Sequence, residues 1–114
     1  MNGLVSESSA TGNGLDGILG QTIRNSTATA NRRVGISVRT LGGVATGNVS
    51  TRNGGHGISA ALSTIRGNVA SLNSDVGLSI LCPSVVSENT AIDNGHGDLQ
   101  TSNSGCATVN NATF

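Results

Sequence analysis

Asparagine recurs along this 114-residue chain at nearly constant intervals, and few folds accept such a pattern. Asn25, Asn48, Asn68 and Asn89 are separated by nearly equal steps, and Asn110 or Asn111 follows after a similar one. A second series, Asn31, Asn53, Asn73 and Asn94, trails the first by five or six residues. Asn13, five residues after Ser8, extends both series toward the N-terminus. Glycine-aliphatic pairs keep step with them at Gly35-Ile36, Gly57-Ile58 and Gly77-Leu78, with Asp98-Leu99 as a variant. A fixed period of this kind means stacked units that share one core.

Each unit holds short runs in which apolar residues alternate with Ser, Thr or Arg, and Gly or Asn divides the runs. Such runs read as strands of three to five residues. Helices are excluded: no window carries apolar residues at i, i+3, i+4 and i+7 with caps, and glycine interrupts nearly every ten-residue stretch. Twenty-odd residues at about 3.3 Å each make one loop round a narrow core, returning the chain about 4.8 Å above its starting point. The expected fold is therefore all-β, a parallel β-helix (solenoid) of about five coils of roughly 21 residues, forming a single domain over 1–114 or a fragment of a longer solenoid. Two inward rows are predicted, Ile36, Ile58, Leu78 and Leu99 in one and Val5, Ala45, Ile65 and Val86 in the other. The asparagines are scaffold, because Asn tolerates left-handed turns and its amide stacks from coil to coil.

Composition supports this reading. The chain has one aromatic residue, Phe114, with 17 glycines and 11% charged residues, too little for an ordinary globular core. A single proline and so few charges also argue against disorder. Six basic residues balance six acidic ones, leaving no electrostatic footprint for nucleic acid or an anionic membrane. No apolar run is long enough to span a bilayer, and Met1-Asn2-Gly3 lacks the basic and apolar regions of a signal peptide. The two cysteines, Cys82 and Cys106, lack zinc-site spacing and are read either as buried small hydrophobes or as one disulfide.

The Gly-Ile, Gly-Asn and Asn-Gly rhythm resembles the right-handed parallel β-helix repeats of the pectin-lyase-like superfamily over nearly the whole chain. That resemblance implies an extracellular or cell-surface setting and a role among polysaccharide lyases and hydrolases, tailspikes, adhesins or structural surface proteins. Gly55-His56-Gly57-Ile58-Ser59 looks like the Gly-His-Gly motif of polygalacturonases, in which the histidine assists three aspartates. Those aspartates have no counterpart before His56, and a second Gly-His-Gly at Gly95-His96-Gly97 marks the tripeptide as a word of the repeat. A pectate-lyase calcium site needs clustered carboxylates, and the six acids are dispersed.

One ionisable row survives alignment of the coils. Arg33, His56, Asp75 and His96 fall within one position of the same column and form the candidate ligand site, suited to a polar ligand such as a sugar or to a divalent metal. The plain alternative is a solvated turn. No cofactor and no dedicated metal site are expected. Threonine is plentiful but only Thr27 to Ala30 shows Thr-x-Thr spacing, and no threonine column is expected to run through three coils, so an ice-binding β-helix is a minor alternative. The sequons at Asn25, Asn48 and Asn111 are coincidences of the Asn rows. A stack of five coils exposes both apolar ends, so self-association through ends or sides is expected, with Phe114 covering one end. The function expected is a non-catalytic structural or glycan-binding module. A fragment or degenerate relative of a polysaccharide lyase or hydrolase is the alternative.

Overall fold

A strand three residues long must turn almost as soon as it forms, and on either side of the second strand of each coil the turn pairs a left-handed residue with one whose side chain bonds the neighbouring coil. The computed structural model, which describes residues 3–39 and 41–114, shows this throughout. Met1 and Asn2, part of the segment read for a leader, lie outside the described residues. The first coil contains β1 (Leu4–Ser6), β2 (Ser9–Thr11) and β3 (Ile18–Gly20), and the second β4 (Thr22–Arg24), β5 (Thr27–Thr29) and β6 (Ile36–Val38). The third holds β7 (Val44–Thr46), β8 (Val49–Thr51) and β9 (Ile58–Ala61), the fourth β10 (Thr64–Arg66), β11 (Val69–Ser71) and β12 (Leu78–Leu81). The fifth holds β13 (Val85–Ser87), β14 (Thr90–Ile92) and β15 (Leu99–Ser102), and a partial sixth β16 (Ala107–Val109) and β17 (Ala112–Thr113).

Every strand pairs in parallel with its counterpart one coil away, giving three sheets. Sheet A is β1-β4-β7-β10-β13-β16, sheet B is β2-β5-β8-β11-β14-β17, and sheet C is β3-β6-β9-β12-β15. The chain is thus a parallel β-solenoid of five complete coils and part of a sixth. The first predicted row is present in sheet C, where Ile18 joins Ile36, Ile58, Leu78 and Leu99. The second lies in sheet A and includes Ile23 between Val5 and Ala45. In β2, β5, β8, β11 and β14 sheet B turns only small residues inward, Ala10, Ala28, Ser50, Ala70 and Ala91. A core this thin needs aliphatic side chains from two sheets and nothing larger than Ala or Ser from the third, which is why it forms without aromatics. Ser50, fully buried, donates its hydroxyl to Gly57 O at 2.6 Å, so its burial leaves the hydroxyl paired.

The turns on either side of sheet B share one device: a residue in left-handed conformation, then a ladder residue. Glu7, Asn25, Gly47, Gly67, Glu88 and Asn110 occupy the left-handed position before sheet B, with φ between 49° and 66°. Gly12, Ala30, Arg52, Leu72 and Asp93 do so after it, with φ between 54° and 68°. The residue that follows turns its side chain into the stack. Asn68 shows the pattern: its backbone N–H and Nδ2 both donate to Asn89 Oδ1, at 2.9 and 3.0 Å, and Nδ2 also reaches Ala45 O at 2.9 Å. Its own Oδ1 accepts the same pair of bonds from Asn48.

The first ladder runs Ser8, Ser26, Asn48, Asn68, Asn89, Asn111. Asn25 is therefore not a rung, contrary to the reading from sequence. It stands one residue earlier, in the left-handed position that Asn also favours, and the hydroxyl of Ser26 accepts the bond from Ser8 N–H instead. Likewise Asn111, not Asn110, is the next rung. The second ladder runs as predicted through Asn13, Asn31, Asn53, Asn73 and Asn94.

Three other expectations change. Cys82 and Cys106 form a disulfide with Cα atoms 5.0 Å apart, which decides between the two readings of the cysteines. Phe114 does not cover an end: it is 71% exposed, because it extends sheet B on the outward side with its N–H donating to Ala91 O. And a threonine column does persist, since Thr11, Thr29 and Thr51 stack in register on the outer face of sheet B.

Candidate functional site

The predicted ionisable row lies on the turn between sheets B and C, just past the second ladder. Backbone bonds from Arg33 N to Leu15 O, Gly55 N to Arg33 O, Asp75 N to Gly55 O and His96 N to Asp75 O define one column. His56 is one position further on, in the column that holds Asp16, Val34 and Val76. The placement gives it the same task as Asp16. Asp16 Oδ1 accepts the N–H of Val34 at 3.1 Å, and His56 Nδ1 accepts the N–H of Val76 at 3.3 Å. Accepting that bond requires that Nδ1 carry no hydrogen.

The structure divides the row into two groups. Arg33 reaches back toward the N-terminus, with Nε 3.7 Å from Asp16 Oδ1. Asp75 sits between the two histidines, with Oδ1 3.2 Å from His96 Nδ1 and Oδ2 3.6 Å from His56 Nδ1. His96 donates to the carboxylate; His56 does not, since its Nδ1 is already an acceptor and the distance is too long. The group is open to solvent, His96 at 76% side-chain exposure and Asp75 at 43%, so its ion pairs add little stability. An exposed carboxylate flanked by imidazoles, with an arginine further along the same edge, can offer acceptors and donors to hydroxyls and carboxylates. Among the described residues no group of three or more His, Cys, Asp or Glu is gathered to hold a metal ion.

Sequence reasoning missed a depression of about 260 Å³ at the corner between sheets C and A, lined by Leu62, Pro83, Val85 and Gly105 among others. It is mostly apolar and has no ionisable lining residue. Its signal in the sequence was the Cys82-Pro83 step, which interrupts the strand pattern, but nothing there indicated a cavity.

Fold and site together define a parallel β-helix repeat protein with a polar edge. No family model and no curated protein matches the chain. Among solved structures it resembles the periplasmic alginate epimerase AlgG, with a TM-score of 0.85 and 17% identity over 97% of this chain and 33% of that one. A point mutant of the same enzyme superposes with a TM-score of 0.84. The A-module of the mannuronan C-5 epimerase AlgE6 from Azotobacter vinelandii matches with a TM-score of 0.77 and 24% identity over 98% of this chain and 35% of that one. At these identities the likeness shows the fold, and the chain spans about a third of the length of these neighbours.

Proposed function

We propose that the chain is a non-catalytic, polysaccharide-contacting module of an extracytoplasmic protein, with the edge formed by Arg33, His56, Asp75 and His96 as its contact surface. The observation that carries this reading is that 97% of the chain shares the solenoid of an alginate epimerase while its own carboxylates stay dispersed. A uronate polymer presents carboxylates and hydroxyls in a regular row, and Arg33 and the histidines are the complementary donors. The disulfide supports an oxidising compartment.

Affinity electrophoresis in gels cast with alginate, pectin or a neutral glucan, together with uronate epimerisation and degradation assays, tests the proposal. Retardation by the uronate polymers, reduced by Arg33→Ala and His96→Ala, is expected without turnover. Turnover by the purified chain would sink the non-catalytic part, and equal migration in every gel would sink the binding part. A second reading is favoured by the one-third coverage of the epimerases: the coils belong to a larger carbohydrate-active enzyme whose reacting groups stand elsewhere on the solenoid. Edge groups of this kind would then only support the substrate chain.

A further inference from the structure

The outer face of sheet B differs from the other two. One outward column runs Ser9, Thr27, Val49, Val69, Thr90, and the other Thr11, Thr29, Thr51, Ser71, Ile92. Neither contains a charge. By contrast, Arg24 and Arg66 stand on the outside of sheet A, and Leu19 and Gln100 interrupt the serines of sheet C. Sheet B is also the sheet held on both sides by amide ladders, since Asn48 directly precedes β8 and Asn53 follows it after one intervening residue. Hydroxyls and methyls on β-branched side chains have few rotamers to choose from. Ser71 Oγ donates to Thr51 Oγ1 at 3.1 Å, which fixes part of the column further.

The result is a rigid two-dimensional array, with rows about 4.8 Å apart between coils and about 6.7 Å apart along each strand. Methyl groups order the first layer of water without bonding it, and the hydroxyls anchor that layer at regular points. We propose that this face binds ice. Its neutrality matches an uncharged lattice, and its two fixed repeats offer a regular grid with which ordered water can register. A glycan is the poorer occupant here, because these ten positions offer no aromatic ring to stack on a sugar and no charge. The inference is independent of the polysaccharide edge, which lies on the turn beyond the second ladder.

The experiment uses the full chain. Thermal hysteresis, ice-crystal shaping and partition into slowly growing ice are measured for the native protein, Thr51→Lys, Thr29→Lys and the sheet C control Ser59→Lys, with circular dichroism and light scattering on each. Faceted crystals and enrichment in ice are expected for the native chain and the control, with loss of most of both in whichever threonine variant retains the β-sheet spectrum. Absence of ice shaping by the native chain overturns the proposal, as does full activity in a folded threonine variant. If light scattering shows a dimer that Thr51→Lys dissolves, or polysaccharide retention that it abolishes, while ice is ignored, the face belongs to a second copy or a glycan and the proposal fails.

Discussion

Asp98 accepts both the backbone N–H and the Nδ2 amide of Asn94, at 3.2 and 2.9 Å, and so does within one coil what each asparagine of the second ladder otherwise does for the coil before it. It can do this because it stands where Gly17, Gly35, Gly57 and Gly77 stand in the other coils. In those coils a Cβ would strike the stacked amide. In Asp98 the side chain takes the place of that amide. Replacing Asp98 by Ala leaves two donors of Asn94 without an acceptor and is expected to cost about 1–3 kcal/mol. Asp98→Asn keeps an acceptor oxygen and is expected to cost less. Hydrogen exchange at Asn94 and its neighbours separates the two.

Asn68 and Asn25 look alike in the repeat but are expected to respond differently. Asn68→Ala strands the N–H and Nδ2 of Asn48 and the carbonyl of Ala45 inside the stack, an expected loss of about 3 kcal/mol or more. Asn25→Gly keeps the left-handed backbone at φ 49° and is expected to change stability by less than about 1 kcal/mol. Urea denaturation of the two variants checks the contrast.

The glycines divide in the same way. A Cβ at Gly57 would lie 2.6 Å from both Asn73 Nδ2 and Gly77 O and 3.0 Å from Ala70 Cβ, with stacked coils on that side unable to withdraw. Gly57→Ala is expected to destabilise by more than about 3 kcal/mol, beyond the usual scale of overpacking in a close-packed interior. At Gly14 a Cβ meets nothing within 4 Å, so Gly14→Ala is expected to leave the melting temperature nearly unchanged.

The disulfide ties the residue just after β12 to the segment entering β16, across a sequence separation of 24. Cross-linking a loop of that length stabilises by about 3 kcal/mol on the chain-entropy model. Reduction, or Cys106→Ser with Cys82→Ser, is expected to lower the melting temperature and to raise exchange first in β16 and β17. Uniform exchange across all coils after reduction would contradict a local staple.

Much of this fold was legible because a solenoid repeats its errors as well as its signals. The row from Ile36 to Leu99 was readable from the glycine-aliphatic pairs, and the second ladder from the near-constant steps between Asn31, Asn53, Asn73 and Asn94. Asn25 misled because the left-handed position and the rung are adjacent and select the same residue for different reasons, one for its backbone tolerance and one for its amide. Ile23 was missed because the first coil is short: the step from Val5 to Ile23 is smaller than any later step in that row. The threonine column was hidden by the same irregularity, since Thr11, Thr29 and Thr51 are unequally spaced and fall out of line when coils are aligned on a constant period. The His56–Asp75–His96 grouping was visible, but the separate partnership of Arg33 with Asp16 was not, because one-position offsets between columns decide which side chains meet.

The ladders have one more property. Along each ladder an asparagine sends its backbone N–H and one Nδ2 hydrogen forward to the next side chain and receives at its oxygen from the one before, so every rung points the same way, while the other Nδ2 hydrogen returns to a carbonyl of the preceding coil. Hydrogen bonds lined up head to tail polarise one another, which makes a central rung worth more than a terminal one. The molecule therefore resembles a zipper with a direction, expected to open from an end tooth by tooth and to resist being parted in the middle.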